Sequence, residues 1–328
     1  MKTPTLEVHL EPSDLARSMR SEVRAGLTSD PKWLSPKWFY DAAGSELFER
    51  ITELPEYYPT RTERALLERS ADEIAAIARP EVLVELGSGS SEKTRLLLEA
   101  GRRAGTLRTY VPQDVSVTAL EAAAESIGAE FPDLTVHGVV SDFTGSLDHL
   151  PSGGRRTIAF LGGTIGNLVP DERRVFLASV ASALQGGEHL LLGAGLVTDP
   201  GVLVPAYDDA AGVTAEFDRN VLRVLNRELG ADFDVDSYRH VVVWDAENEW
   251  IEMRLEAPGA TVVHLGALGL DVPLRAGEQI RTEISAKFTP AGLTRELDDA
   301  GFDTERVFTD SDDRFALVLA RRRHERNV

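Results

Sequence analysis

The stretch VELGSGSSEKTRLLL, residues 84–98, constrains the fold of this chain more than any other. An apolar run ends at Glu85 and Leu86, a loop carries Gly87 and Gly89, and a segment with helical apolar spacing follows. Such a pattern reads as strand, glycine loop and helix, the local unit that brings backbone close to a nucleotide-like ligand. Two familiar phosphate loops share its outline, and neither matches. A P-loop needs a second glycine before Lys93-Thr94, and the dinucleotide fingerprint needs a third glycine at the same place. Glu92 occupies that position in both alignments.

The surrounding rhythm extends the unit into a sheet. Strand-like runs occupy 81–86, 109–115, 134–143, 156–162 and 189–196, with helical stretches at 91–101, 116–128 and 171–184 between them. Alternating strands and helices predict a parallel α/β sheet wound on both faces, and the continuous apolar runs suit strands buried on both sides. After residue 197 the rhythm breaks. Residues 207–230 read as a helix, 240–257 as two strands around a polar turn, and TVVHLGALGLDVPL and EQIRTEISAKF as further strands. From 290 a helix and a closing hairpin return. The expected division is therefore 61–197 plus 287–328 for one domain, and 1–60 plus 198–286 for a smaller α+β domain. In the N-terminal part, Leu47, Phe48, Ile51 and Leu54 share a helical face, LPEYYPT makes an aromatic turn, and Thr60 and Glu63 stand at capping-box spacing. The final RRRHERNV reads as a solvated tail.

Charge and composition exclude several classes of partner. The balance of 35 basic and 54 acidic residues, −19, disfavours nucleic acid and anionic membrane. Cysteine is absent, which removes disulfides, thiolate zinc sites and cysteine nucleophiles and fits a reducing cytoplasm. No signal peptide or membrane span is expected, because neither MKTPTLEVHLEPSDLARSMR nor any other stretch has the required apolar run. The seven histidines are scattered, so no metal site is expected. Without repeats or a coiled-coil seam, the expectation is a monomer.

In an open parallel sheet, ligands bind beyond the carboxyl ends of the strands. Those ends carry Gly87, Asp114, Asp142-Phe143 and LGGTIGN here. Asp114 suits a ribose diol, since one carboxylate accepts from two hydroxyls. Asp142 suits the exocyclic amine of adenine, with Phe143 against the ring. The alternative is that both aspartates only cap the helices that follow. Many acids and no phosphate clamp point to S-adenosylmethionine, which joins adenosine to a cationic sulfonium and carries no phosphate.

ELGSG resembles the acid-x-Gly-x-Gly loop of class I methyltransferases. More closely, PKWFYDAAGSELFERITELPEYYPTRTE (36–63), VELGSGSSEKTRLLL, FLGGTIGNL, YDDAAGVTAEFDRNVL, IEMRL and TEISAKF resemble the histidine-specific methyltransferase family, which makes hercynine for ergothioneine biosynthesis. The resemblance implies a Rossmann-like, doubly wound class I domain plus a smaller substrate-binding domain. It implies three methyl transfers from S-adenosyl-L-methionine to the α-amine of L-histidine, with S-adenosyl-L-homocysteine as the other product. It assigns Tyr40 and Asn167 to catalysis. It places Tyr57 and Asn167 at the amine, Tyr207 and Asn167 at the carboxylate, and Phe48, Gly162 and Thr214 beside the substrate. Ser88, Lys93 and Tyr40 join Gly87, Asp114, Asp142 and Phe143 around the cofactor.

The chemistry can be weighed separately. A neutral amine attacks the methyl in line, and an α-amine loses its proton easily near pH 8, so positioning matters more than a strong base. Tyr40 and Phe48 suit the growing cation, or they are ordinary core. In a strand, Glu283 and Ser285 point the same way and can satisfy both imidazole nitrogens, with Met253 as an adaptable wall. The bland reading of TEISAKF is a strand with a polar outer face. Other readings are a same-family enzyme for tryptophan or tyrosine, a nicotinamide dehydrogenase, which Glu92 disfavours, and a silent amino-acid-binding protein.

Overall fold

The computed structural model describes residues 3–324. The chain begins with β1 (Thr5–Val8), α1 (Pro12–Thr28), β2 (Lys32–Trp33), α2 (Ala42–Glu53) and α3 (Tyr58–Ala78). A regular alternation follows: β3 (Val82–Leu86), α4 (Thr94–Arg103), β4 (Thr109–Asp114), α5 (Val117–Glu130), β5 (Thr135–Val140) and β6 (Arg156–Phe160). It continues through α6 (Pro170–Ala183), β7 (His189–Gly195), α7 (Pro200–Tyr207) and α8 (Val213–Leu229). Then come β8 (Arg239–Asp245), β9 (Trp250–Glu256), β10 (Thr261–Leu265), β11 (Leu270–Leu274) and β12 (Gln279–Ala286). The chain closes with α9 (Pro290–Asp299), β13 (Phe302–Thr309) and β14 (Phe315–Arg322).

Two compact units result. The first contains the chain up to Glu11, Thr62–Val197 and the chain from Phe288 onward. Its eight-stranded sheet runs β1-β5-β4-β3-β6-β7-β14-β13. The strands from β1 to β7 pair in parallel, and β14 joins β7 antiparallel with β13 at the far edge. Central β3 and β6 are buried at every residue, as strands covered on both faces must be. The strand order reverses beside β3, between β4 and β6, which is where an open α/β sheet leaves a ligand crevice. Local signals fix the helix starts. Ser116 caps α5 by accepting from Ala119 N, Pro170 and Glu172 open α6, and Thr289 accepts from Gly292 N at α9.

The second unit contains Pro12–Arg61 and Thr198–Lys287. Its four-stranded sheet runs β2-β12-β9-β8, and β10 with β11 form a separate hairpin sheet. Leu222, Leu225, Ile251, Leu255 and Ile280 centre its core at about 0% exposure. At α2, Asp41 caps the helix through Gly44 N at 2.8 Å and accepts from Asn220 Nδ2 of α8 at 2.8 Å. Gly44 is required there, since a Cβ would lie 1.8 Å from the Phe39 carbonyl.

Several sequence expectations differ from these elements. No strand is evident before residue 11, yet Thr5–Val8 pairs with His137–Val140 and groups with the first unit. The expected 207–230 helix starts later: Tyr207 ends α7, and α8 begins at Val213, where Asp209 accepts from Val213 N at 2.9 Å and Thr214 N at 2.7 Å. Thr60 and Glu63 form no capping box: α3 already begins at Tyr58 and buries the Glu63 carboxylate. Of the expected tail, Arg321 and Arg322 complete β14, and residues 325–328 lie outside the described residues. Among the described residues, no helix is long and apolar enough to cross a membrane.

Candidate active site

In the first unit the candidate residues gather at the carboxyl ends of the parallel strands. The loop after β3 has Gly87 at φ +66° and Gly89 at φ +49°, conformations that glycine adopts without strain. Added Cβ atoms would meet only the Phe143 ring at Gly87, 3.6 Å away, and open space at Gly89. Asp114 is tied to this loop: Oδ2 accepts from Gly89 N and Oδ1 from Ser116 N, each at 3.0 Å. It is therefore not the helix cap, which is Ser116. Asp142 accepts from Thr144 N at 2.9 Å and from Thr144 Oγ1 at 2.6 Å, a local turn that holds Phe143 against Phe160. Asn167 and Gly162 belong to the turn after β6, where Gly162 has φ +80°.

Glu92 is exposed in the loop and pairs with Arg95 at 3.0 Å. Lys93 pairs with Glu63, which is fully buried and also accepts from Gly162 N at 2.8 and 3.0 Å. Glu63 thus binds the glycine loop to the turn after β6. Gln113 does comparable work beneath the loop, accepting from Gly87 N at 3.2 Å and donating to the Ser141 carbonyl. Sequence reasoning missed both roles. For Gln113 the polar residue inside a buried strand run was a usable signal. For Glu63 no local signal existed, because its partners lie 30 and 99 positions away.

Glu85 faces inward and accepts from Thr94 Oγ1 and Tyr110 Oη. Burial pushes its carboxyl up to about 7, against the two hydroxyl donors and Lys93, which hold it down. A folded-state value above the ordinary one gives stability that is full below about 4.5 and is lost as pH rises through about 7. The parent should lose up to roughly 3 kcal/mol relative to Glu85→Gln across that window. Thermal melts of both proteins at about pH 5 and about pH 8 measure it; parallel pH responses would contradict the assignment.

The second unit brings its candidates into one chain of rings. Tyr40 lies 5.6 Å from Phe48, Phe48 6.3 Å from Tyr57, and Tyr57 6.2 Å from Tyr207, each edge to face. Phe217 of α8, unremarked in the sequence reading, touches both Tyr40 and Phe48, at 5.4 and 5.9 Å. Tyr40 is nevertheless 45% exposed, so it is not simple core. On β12, Glu283 is in register with Met253 of β9, next to an irregularity between Arg281 and Glu283. Ser285 shares a 2.7 Å bond with the Tyr207 hydroxyl. Behind them His240 faces Asp218 at 2.6 Å through Nδ1 and the Tyr207 carbonyl at 2.9 Å through Nε2. Both partners are acceptors, so the doubly protonated ring satisfies both. Burial disfavours that charge, but Asp218 outweighs it and raises the pKa. Thr214, at the start of α8, is buried.

The first unit also fits the expected cofactor on its own terms. Ser88 Oγ is buried with no hydrogen-bond partner among the described residues, beside a glycine loop that leaves space for a ligand. Among the described residues, no group of three or more metal-ligating side chains is placed to hold a metal ion.

The sheet order and the loop after β3 define a class I methyltransferase fold. The family described as "Histidine-specific methyltransferase, SAM-dependent" matches residues 19–322. The chain belongs to this family of histidine-specific, S-adenosylmethionine-dependent methyltransferases. It is 52% identical to the histidine N-alpha-methyltransferase of Mycolicibacterium smegmatis, over 97% of this chain and 99% of that protein. It is 50% identical to the enzyme of that name from Mycobacterium tuberculosis, over 92% and 94%. A more distant relative, the 4-dimethylallyltryptophan N-methyltransferase of Claviceps fusiformis, is 28% identical over 89% of this chain and 88% of that protein. The cofactor is S-adenosylmethionine.

Proposed function

We propose that this enzyme transfers three methyl groups to the α-amine of L-histidine, giving hercynine for ergothioneine biosynthesis. The observation that carries the reading is the Glu283–Ser285 pair on one strand, with buried Met253 in register beside it, in a member of the histidine-specific family. A carboxylate and a hydroxyl complement an imidazole, which offers one N–H and one lone pair. The two mycobacterial relatives are named for N-alpha-methylation of histidine.

The first unit is the proposed cofactor domain and the second the proposed substrate domain. S-adenosylmethionine supplies an electrophilic methyl group on sulfur. Gly87, Ser88, Lys93, Asp114, Asp142 and Phe143 are proposed to hold it. The family resemblance assigns Asn167 and Tyr57 to the neutral α-amine, whose lone pair must meet the methyl carbon in line, and Tyr207 and Asn167 to the carboxylate. Each transfer forms a C–N bond, breaks a C–S bond and leaves the amine cationic. The first two products must lose a proton before the next transfer. The third is a permanent cation. The edge-to-face series Tyr40, Phe48 and Tyr57 supports a quaternary ammonium by cation–π attraction.

With excess S-adenosylmethionine, mass spectrometry should find the trimethylated product accumulating, and mono- and dimethylhistidine should both be consumed. A reaction that stops at one methyl would exclude the aromatic site as a cage for the quaternary product.

A further inference from the structure

Lys287 continues the alternation of Glu283 and Ser285 just past β12 and is buried, with 6% of its surface exposed. Its backbone N–H is fixed by Glu249 O at 2.8 Å. Its Nζ donates to Tyr207 Oη at 2.8 Å and to Ser285 Oγ at 2.6 Å, closing a triangle with the 2.7 Å bond between those hydroxyls. We propose that Lys287 is a positioning residue that turns Tyr207 and Ser285 into hydrogen-bond donors toward the bound amino acid. The inference rests on the histidine reading above and deepens it.

The argument is one of donor and acceptor counting. A hydroxyl has one proton and two lone pairs, and a lysine ammonium only donates. Lys287 fills one acceptor position on each oxygen. If Tyr207 also donates to Ser285, the serine oxygen has no lone pair left and its proton must point elsewhere. If Ser285 donates to Tyr207, the tyrosine proton is the one released. With a ligand present, both protons can turn outward while Lys287 continues to satisfy both oxygens. In each arrangement the pair offers protons. Glu283 beside it offers lone pairs. Burial lowers the Lys287 amine to about 7 even with the Glu283 charge opposing the shift, and in either protonation state the amine has N–H donors for both hydroxyls. With the Tyr207 proton given to the carboxylate, the Ser285 proton and the Glu283 lone pairs read one lone-pair nitrogen and one N–H, which is a neutral imidazole. An indole or a pyrrole has the N–H and lacks the second nitrogen.

The test compares L-histidine with 3-(pyrrol-2-yl)alanine, which keeps the ring N–H and loses the acceptor nitrogen. Calorimetry is done on the full-length protein saturated with S-adenosylhomocysteine. The parent should prefer histidine by about tenfold or more. Lys287→Met should lose roughly that preference while binding pyrrolylalanine and S-adenosylhomocysteine as the parent does. A purely structural lysine would weaken both amino acids alike, and that result, or an unchanged preference, overturns the proposal. If the methionine variant does not bind S-adenosylhomocysteine, Lys287→Gln answers instead. Its shorter amide reaches at most one hydroxyl and should show the same selective loss; equal losses again overturn the proposal. A parent that does not bind histidine removes the functional reading and this inference together. Histidine binding by the parent with no selective loss in either variant removes this inference alone.

Discussion

Glu63→Ala should destabilise the protein by about 3–5 kcal/mol, a large share of the stability of an ordinary domain. Glu63 has 0% exposure, so its carboxylate relies on protein partners. Its removal strands the Gly162 N–H and leaves Lys93 without its partner. It also opens a hole where Glu63 Oε1 now packs so tightly that a Cβ on Gly193 would come within 2.1 Å. Breaking one side of a buried ion pair costs more than the pair itself contributes, because the surviving charge has lost its compensation. Glu63→Gln keeps an acceptor for Gly162 and should cost less. Since Lys93 and Gly162 flank the proposed ligand crevice, affinity for S-adenosylhomocysteine should fall with stability in the alanine variant. Denaturant unfolding of the parent and both variants checks the order. A loss below about 1 kcal/mol in Glu63→Ala would show that the network is not held as described.

Glu283→Ala should lower kcat/KM for histidine by roughly ten- to a hundredfold, from a lost charge-assisted hydrogen bond of about 1.5–3 kcal/mol. Tryptophan should gain relative to histidine, because the carboxylate that an indole leaves half satisfied is gone. Shortening Met253, which is buried in register with Glu283, should widen that gain by making room. The measurement is the ratio of kcat/KM for the two amino acids in each variant. An unchanged ratio would move the selector away from residue 283.

What could be read from the sequence followed from periodicity and from local chemistry. The parallel strands from 82 to 195 were legible because strands buried on both faces leave unbroken apolar runs. β14 was legible for the same reason; its partner β13 has one buried residue and no such run. Thr5–Val8 was not, since an edge strand with three exposed residues has no such run. The late start of α8 was hidden because the helical pattern after 213 outweighed Asp209, whose capping role depends on the backbone reaching back to it. At the site, Gly87, Asp114 and Asp142 could be chosen because strand ends are where such sheets bind ligands. Glu63 and the Asp218–His240 pair could not, since each works through partners remote in sequence, whereas Gln113 was within reach as a polar residue inside a buried strand run. Lys287 was within reach: extending the alternation of Glu283 and Ser285 by two residues leads to it.

The most direct measurement is the initial rate of methyl transfer from S-adenosylmethionine to L-histidine, L-tryptophan and L-tyrosine, each offered at a range of concentrations to the unmodified enzyme. Histidine should have the highest kcat/KM, with the label recovered on its α-nitrogen. No transfer to histidine, or faster transfer to either of the other two, would contradict the assignment.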